Sequence, residues 1–106
     1  MIQADFFVNA SGELTGFRIT GHSGAAEAGS DIVCAAVSSA AYLVANTVSD
    51  VLGVQARITA DEGYMSVRLA DRDVRGCRVL LEGLKLHLLG LEDQYPKNIQ
   101  VSYLEV

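Results

Sequence analysis

A chain of 106 residues, half of them hydrophobic and with positive mean hydropathy, makes one compact domain with a real core. A charged fraction of only a fifth excludes a disordered tail. The formal net charge of −5 argues against a direct nucleic-acid binder, which normally shows a basic face, and suits a basic partner.

The stretch from Ile2 to Val8 alternates loosely and carries Phe6 and Phe7, which predicts a strand. Asn9 to Glu13 is a turn cluster, and Leu14 to Thr20 alternates again, so the two segments form a hairpin. A glycine-rich loop runs from Gly21 to Ser30. Helix one is expected to start with Ser30 or Asp31 as its cap, to reach about Leu52 and to stop at Gly53. Its apolar residues cover most of the circumference, which predicts burial on more than one side. The charge-free run between Asp31 and Asp50 is rich in Ala and Ser and contains Asn46 and Thr47. It lacks the Leu, Ile and Phe density of a bilayer span, so no membrane is expected.

Val54 to Thr59 and Tyr64 to Leu69 predict a second hairpin, turning at Asp61-Glu62-Gly63. Helix two is expected from about Asp71 to Leu91, capped by Asp71 or Asp73. Val74, Cys77, Leu81, Leu84 and Leu88 recur at three- and four-residue steps and mark its core face. Arg72, Arg75, Arg78, Glu82 and Lys85 form the solvated side. After Pro96, the alternation of Ile99, Val101 and Tyr103 predicts a last strand. The order ββαββαβ is an α+β domain: two hairpins and a final strand in a mostly antiparallel or mixed sheet, packed with two long helices.

The chemistry concentrates between Gly21 and Cys34. With Asp31 as cap, Cys34 is the third helical residue, where first-turn amides and the macrodipole favour a thiolate. Asp31 opposes this by like charge, unless it faces the amides or pairs with His22; both poses stay open. His22 ends the second strand. The following loop of Gly, Ala and Ser can fold back to bring the imidazole to the Cys34 sulfur as general base and then general acid. Free N–H groups near Cys34 offer an oxyanion site. Ser38 lies one turn along on the same helix face. The loop is expected to close over an extended peptide and to be mobile without one.

Each residue also has a plainer reading. A cysteine in an alanine-rich helix is ordinarily a small buried hydrophobe, and a loop histidine a surface residue or cap. The joint placement favours chemistry. Cys77 fits the core stripe and His87 the end of helix two, so neither is expected to react. No Cys-x-x-Cys or similar close spacing predicts a metal, and no cofactor is expected. Two distant cysteines without a recognisable export signal are expected to be free thiols in the cytoplasm.

Gly21-His22 and the block Gly29-Ser30-Asp31-Ile32-Val33-Cys34-Ala35-Ala36-Val37-Ser38 resemble the ribosomal-processing cysteine protease family, Prp, over almost the whole chain. The resemblance implies an endopeptidase of Firmicutes-like bacteria. It would remove a short N-terminal extension from a large-subunit ribosomal protein near the peptidyl-transferase centre. By that likeness Cys34 is the nucleophile and His22 the base, Gly21, Asp31 and Ser38 fall on other motif positions, and the protein is a homodimer. The partner would be a basic ribosomal protein precursor, met favourably by an acidic enzyme. The rival readings are a non-catalytic ribosome-assembly module, with Cys34 as packing, and a redox sensor, which lacks a resolving cysteine nearby.

Overall fold

The computed structural model describes residues 1–21 and 28–106, with side chains of the second segment described from Ile32 onward. Strand β1 (Ile2–Val8) pairs antiparallel with β2 (Leu14–Thr20), and β3 (Arg57–Asp61) with β4 (Tyr64–Arg68). Both predicted hairpins are present. The last strand, β5 (Ile99–Glu105), runs parallel to β1, so the sheet is mixed, in the order β3-β4-β2-β1-β5. Helix α1 (Ala28–Asn46) follows β2. A short α2 (Asp71–Val74) leads through a 3₁₀ turn, Arg75–Cys77, into α3 (Arg78–Gln94). The expected α+β order is therefore observed.

One face of the sheet and one row of each long helix make the core. The strands contribute Ile2, Phe6, Phe17 and Val67. Helix α1 adds Val33, Val37, Ala41 and Val44, the turn after it adds Val48, and the second helical run adds Val74, Cys77, Leu81, Leu84 and Leu88, the stripe expected from spacing. Phe6 and Phe17 meet with ring centroids 6.3 Å apart.

Several expectations need correction. Helix α1 begins at Ala28, so Ser30 and Asp31 lie inside it rather than at its cap. The Ala-Gly-Ser composition there reads as loop, although alanine is the best helix former. Helix α1 buries one side only: Ile32, Tyr42 and Leu43 are exposed on it, as are Val51 and Leu52 just beyond its end. Its end matches expectation. A wide π turn, Thr47–Val51, is closed by the Leu52 N–H donating to the Thr47 carbonyl, and Gly53 follows at φ +66°. By length and composition alone Ile32–Val51 would suit a membrane span, but its row from Val33 to Val48 is built into the core.

Strand β3 starts at Arg57, not Val54, because the Val54 N–H donates to the Val48 carbonyl and the Ala56 N–H to Val54, tying that segment to the end of α1. The second helix is interrupted at Arg75–Cys77, where Gly76 lowers helix propensity. Its N-cap is Ala70 with no side-chain cap, so Asp71 is the first helical residue. It runs on to Gln94, past Leu91, closed by the Tyr95 N–H donating to the Leu91 carbonyl.

The other sheet face holds a polar array. Arg18 Nη2 lies 3.0 Å from Asp5 Oδ2, and Gln3 Nε2 donates to Asp5 Oδ1 and Ser102 Oγ. These satisfy the buried Asp5 carboxylate. Gly16 stands in register between Phe7 and Arg68. Having no side chain, it lets the Arg68 guanidinium cross β2 to lie 4.2 Å over the Phe7 ring.

Candidate active site

Helix α1 presents Cys34, Val37, Ser38, Ala41 and Tyr42 along one wall of a cavity of about 250 Å³. The spacing i, i+3, i+4, i+7, i+8 puts these five on one stripe, which shares Val37 and Ala41 with the row that builds the core. Ile2, Ile19 and Met65 form an apolar floor, and Asp61, Glu62, Gly63 and Tyr64 of the β3–β4 turn close the opposite side. Cys34 is half-buried, a free thiol on an open cavity rather than one sealed in hydrocarbon.

Gly21 lines the same cavity and has a specific backbone job. It turns the chain out of β2 with φ +95°, a region costly for any residue with a Cβ. Its N–H donates to the Gly63 carbonyl at 3.0 Å. A Cβ here would stand 2.5 Å from the Met1 carbonyl oxygen. Gly21 is thus held between the start of β1 and the β3–β4 turn.

The turn it contacts is itself fixed. Gly63 has φ +69°, and Asp61 Oδ1 accepts the Glu62 N–H at 2.8 Å. The β2–β4 register, with Thr20 opposite Tyr64, carries this turn to the end of β2.

Of the site residues expected from sequence, the structure brings Cys34, Ser38 and Gly21 to one cavity. His22 and the side chain of Asp31 lie outside the described residues, as do residues 22–27 of the loop expected to close over a peptide. The expected field at Cys34 needs correction. With α1 starting at Ala28, Cys34 sits in the second turn rather than third from the end, and macrodipole effects fade beyond the first turn.

Sequence reasoning missed Asp61, Glu62, Tyr42 and Tyr64 as cavity residues. Asp61 and Glu62 carry only a turn signal in the sequence, and a long-range strand register brings them to the cavity that Cys34 lines. The reading of Cys77 as packing agrees with its full burial, which pushes its thiol pKa up, with the Asp73 carboxylate adding to the rise. His87 is exposed in a separate groove between α1 and α3.

The family model "Cysteine protease Prp" matches residues 1–100. The chain is 31% identical over 108 residues to the ribosomal processing cysteine protease Prp of Bacillus subtilis (strain 168), covering 96% of each chain. It is similar to the crystal structure of an essential ribosomal processing protease Prp from Staphylococcus aureus in complex with a substrate peptide. That match has a TM-score of 0.88 and 27% identity over 98% of this chain and 100% of that one. A second structure of the S. aureus protease, with a covalently linked product peptide, matches with a TM-score of 0.85 and 28% identity, at the same coverage of both chains.

Proposed function

Because this chain belongs to the cysteine protease Prp family, and is a cysteine protease, we propose that it is a cytoplasmic endopeptidase that removes the N-terminal extension of a large-subunit ribosomal protein. Cys34 is the nucleophile and His22 the general base. The observation that carries this reading is the position of Cys34, half-buried on the wall of an open cavity. An extended peptide has room to lay its scissile carbonyl against the sulfur there.

In the proposed cycle His22 takes the Cys34 proton, and the sulfur adds to the carbonyl carbon. The tetrahedral intermediate collapses as His22 protonates the leaving amine, releasing the new N-terminus of the mature ribosomal protein. The thioester that remains is hydrolysed by water activated by the same imidazole. Gly21 acts as a positioning residue, because its fixed φ and its bond to Gly63 set the direction in which the chain enters His22. Ser38, one turn beyond Cys34 and on the same cavity, is placed to hydrogen-bond peptide or dyad. Asp31, three residues before Cys34 in α1, supports the imidazole in this scheme.

The substrate is basic in this reading. Asp61 and Glu62 line the cavity, no Lys or Arg does among the described residues, and the net charge is −5. The enzyme works as a homodimer. The groove of about 760 Å³ between α1 and α3, with Leu43 and Val79 largely exposed on it, is the surface a second copy would cover.

The test is incubation of the extended ribosomal protein with wild-type enzyme, Cys34→Ala and His22→Ala, read by mass spectrometry. Wild type releases one N-terminal peptide and both variants release none while keeping the native circular dichroism spectrum. Cleavage by Cys34→Ala at the wild-type rate refutes the assignment.

A further inference from the structure

The end of the sheet that carries the Cys34 cavity holds a second groove, of about 660 Å³, beside the end of α3. The two are neighbours across one strand. Ile2 floors the cavity, and Ile99, its register partner on β5, lines the groove. Paired strands run about 4.8 Å apart, so a single strand spacing separates the two surfaces. Met1 also lines the groove, and its carbonyl abuts Gly21 of the cavity. A peptide leaving the cavity has only to cross the start of β1 to enter the groove.

Leu89, Pro96 and Ile99 give this groove apolar sides, and Glu92 and Asp93 add two carboxylates. Glu92 is half-buried and fixed, its Oε2 accepting the Val101 N–H at 2.7 Å. That bond leaves its other oxygen as an acceptor. Among the described residues neither carboxylate forms an ion pair with a Lys or Arg, and no Lys or Arg lines the groove. Apolar walls beside carboxylates suit a Lys or Arg side chain, whose stem packs on hydrocarbon while its head reaches the oxygens. A second copy of this chain, at a net charge of −5, is poorly matched to such a surface. We infer that the groove is an exosite of the protease, taking a Lys or Arg side chain from a part of the substrate that lies beyond the Cys34 cavity. The inference rests on the reading of the substrate as a basic ribosomal protein precursor. Contacts so far from the reacting bond are the same in ground and transition states, so they lower KM and leave kcat unchanged.

The test compares two substrates, the full-length precursor and a short neutral peptide confined to the residues around its scissile bond. Each is cleaved by wild type and by the double variant Glu92→Gln, Asp93→Asn. Glutamine keeps an acceptor for the Val101 N–H, so the start of β5 stays in place. The double variant is expected to raise KM for the precursor about fivefold at unchanged kcat. Both constants for the short peptide stay as in wild type, and the difference on the precursor shrinks in high salt. The inference is overturned if KM for the precursor does not move, or if the two substrates weaken alike. A second measurement works without proteolysis: a peptide of alternating lysine and alanine is titrated into Cys34→Ala and followed by amide NMR. Saturable shifts are expected at Leu89 and Ile99, and none once the two carboxylates are also neutralised. Shifts that fail to saturate, or that survive neutralisation, overturn the inference. If wild type cleaves neither substrate, the protease reading fails, and this titration alone decides whether the groove takes a basic side chain.

Discussion

Replacing Gly21 with alanine separates two costs that the structure prices independently. A Cβ at φ +95° costs about 1–2 kcal/mol in backbone strain. It also meets the Met1 carbonyl oxygen at 2.5 Å, so the Met1–Ile2 peptide must move. That peptide is not loose: the Ile2 N–H donates to the Asn98 carbonyl at 2.8 Å and opens the β1–β5 pairing. Overpacking against such a neighbour adds about 1–3 kcal/mol, for a total of about 2–5 kcal/mol. Gly53→Ala is the internal control, since its φ of +66° imposes the strain while no atom lies within 4 Å of the added methyl. It should cost only about 1–2 kcal/mol. Gly76→Ala, with neither strain nor clash, should be neutral or stabilise by up to about 1 kcal/mol. Urea denaturation of the three variants gives the ordering directly. Equal losses for Gly21→Ala and Gly53→Ala would refute the claim that the Met1 carbonyl confines Gly21. The processing rate of Gly21→Ala should also fall more than its stability at assay temperature explains, because the chain then enters His22 in a new direction.

Other outcomes follow from the same structure. Iodoacetamide should modify Cys34 in the native protein while the fully buried Cys77 reacts only on unfolding, as peptide mapping would show. The Cys77 pKa is raised by burial and by Asp73, so the folded state holds that proton more tightly than the unfolded chain. Its contribution is intact below the unfolded thiol value of about 8.5 and is lost as pH rises through the folded value. Urea midpoints of wild type should fall above that pH, and those of Cys77→Val should fall less. Asp5→Ala leaves Arg18 and Gln3 without their shared acceptor and should cost about 1–3 kcal/mol by denaturant titration, less than a fully buried pair because Arg18 is partly exposed. Gly16→Ala puts a methyl 2.1 Å from the Val67 carbonyl oxygen and should cost at least about 3 kcal/mol, measurable as a fall in Tm.

Much of this architecture was legible because its signals are local. The strand alternation, the stop at Gly53 and the three- and four-residue stripe through Cys77 and Leu88 each report on a single element. The start of α1 is not legible in the sequence, because Gly and Ser around Ala28 mask good helix propensity. The break at Gly76 shows one glycine overriding a run that reads as continuous. At the candidate site, the motif around Cys34 marked Gly21 and Ser38 beside it, and both lie on its cavity. Asp61 and Glu62 could not be found that way, because only the pairing of β2 with β4 makes them neighbours. Membership of a protease family also decides between catalysis and the non-catalytic assembly module, which single residues left open.

The sheet has two unequal borders. Strand β3 is short and carries charge at both ends, in Arg57 and Asp61, which discourages a foreign strand from annealing to it. Strand β5 is longer and carries Tyr103 and Leu104 outward with only Glu105 to repel. At the concentrations of crystallisation or storage, unwanted self-association by strand addition should begin along β5, and a lysine at Gln100 is the economical remedy.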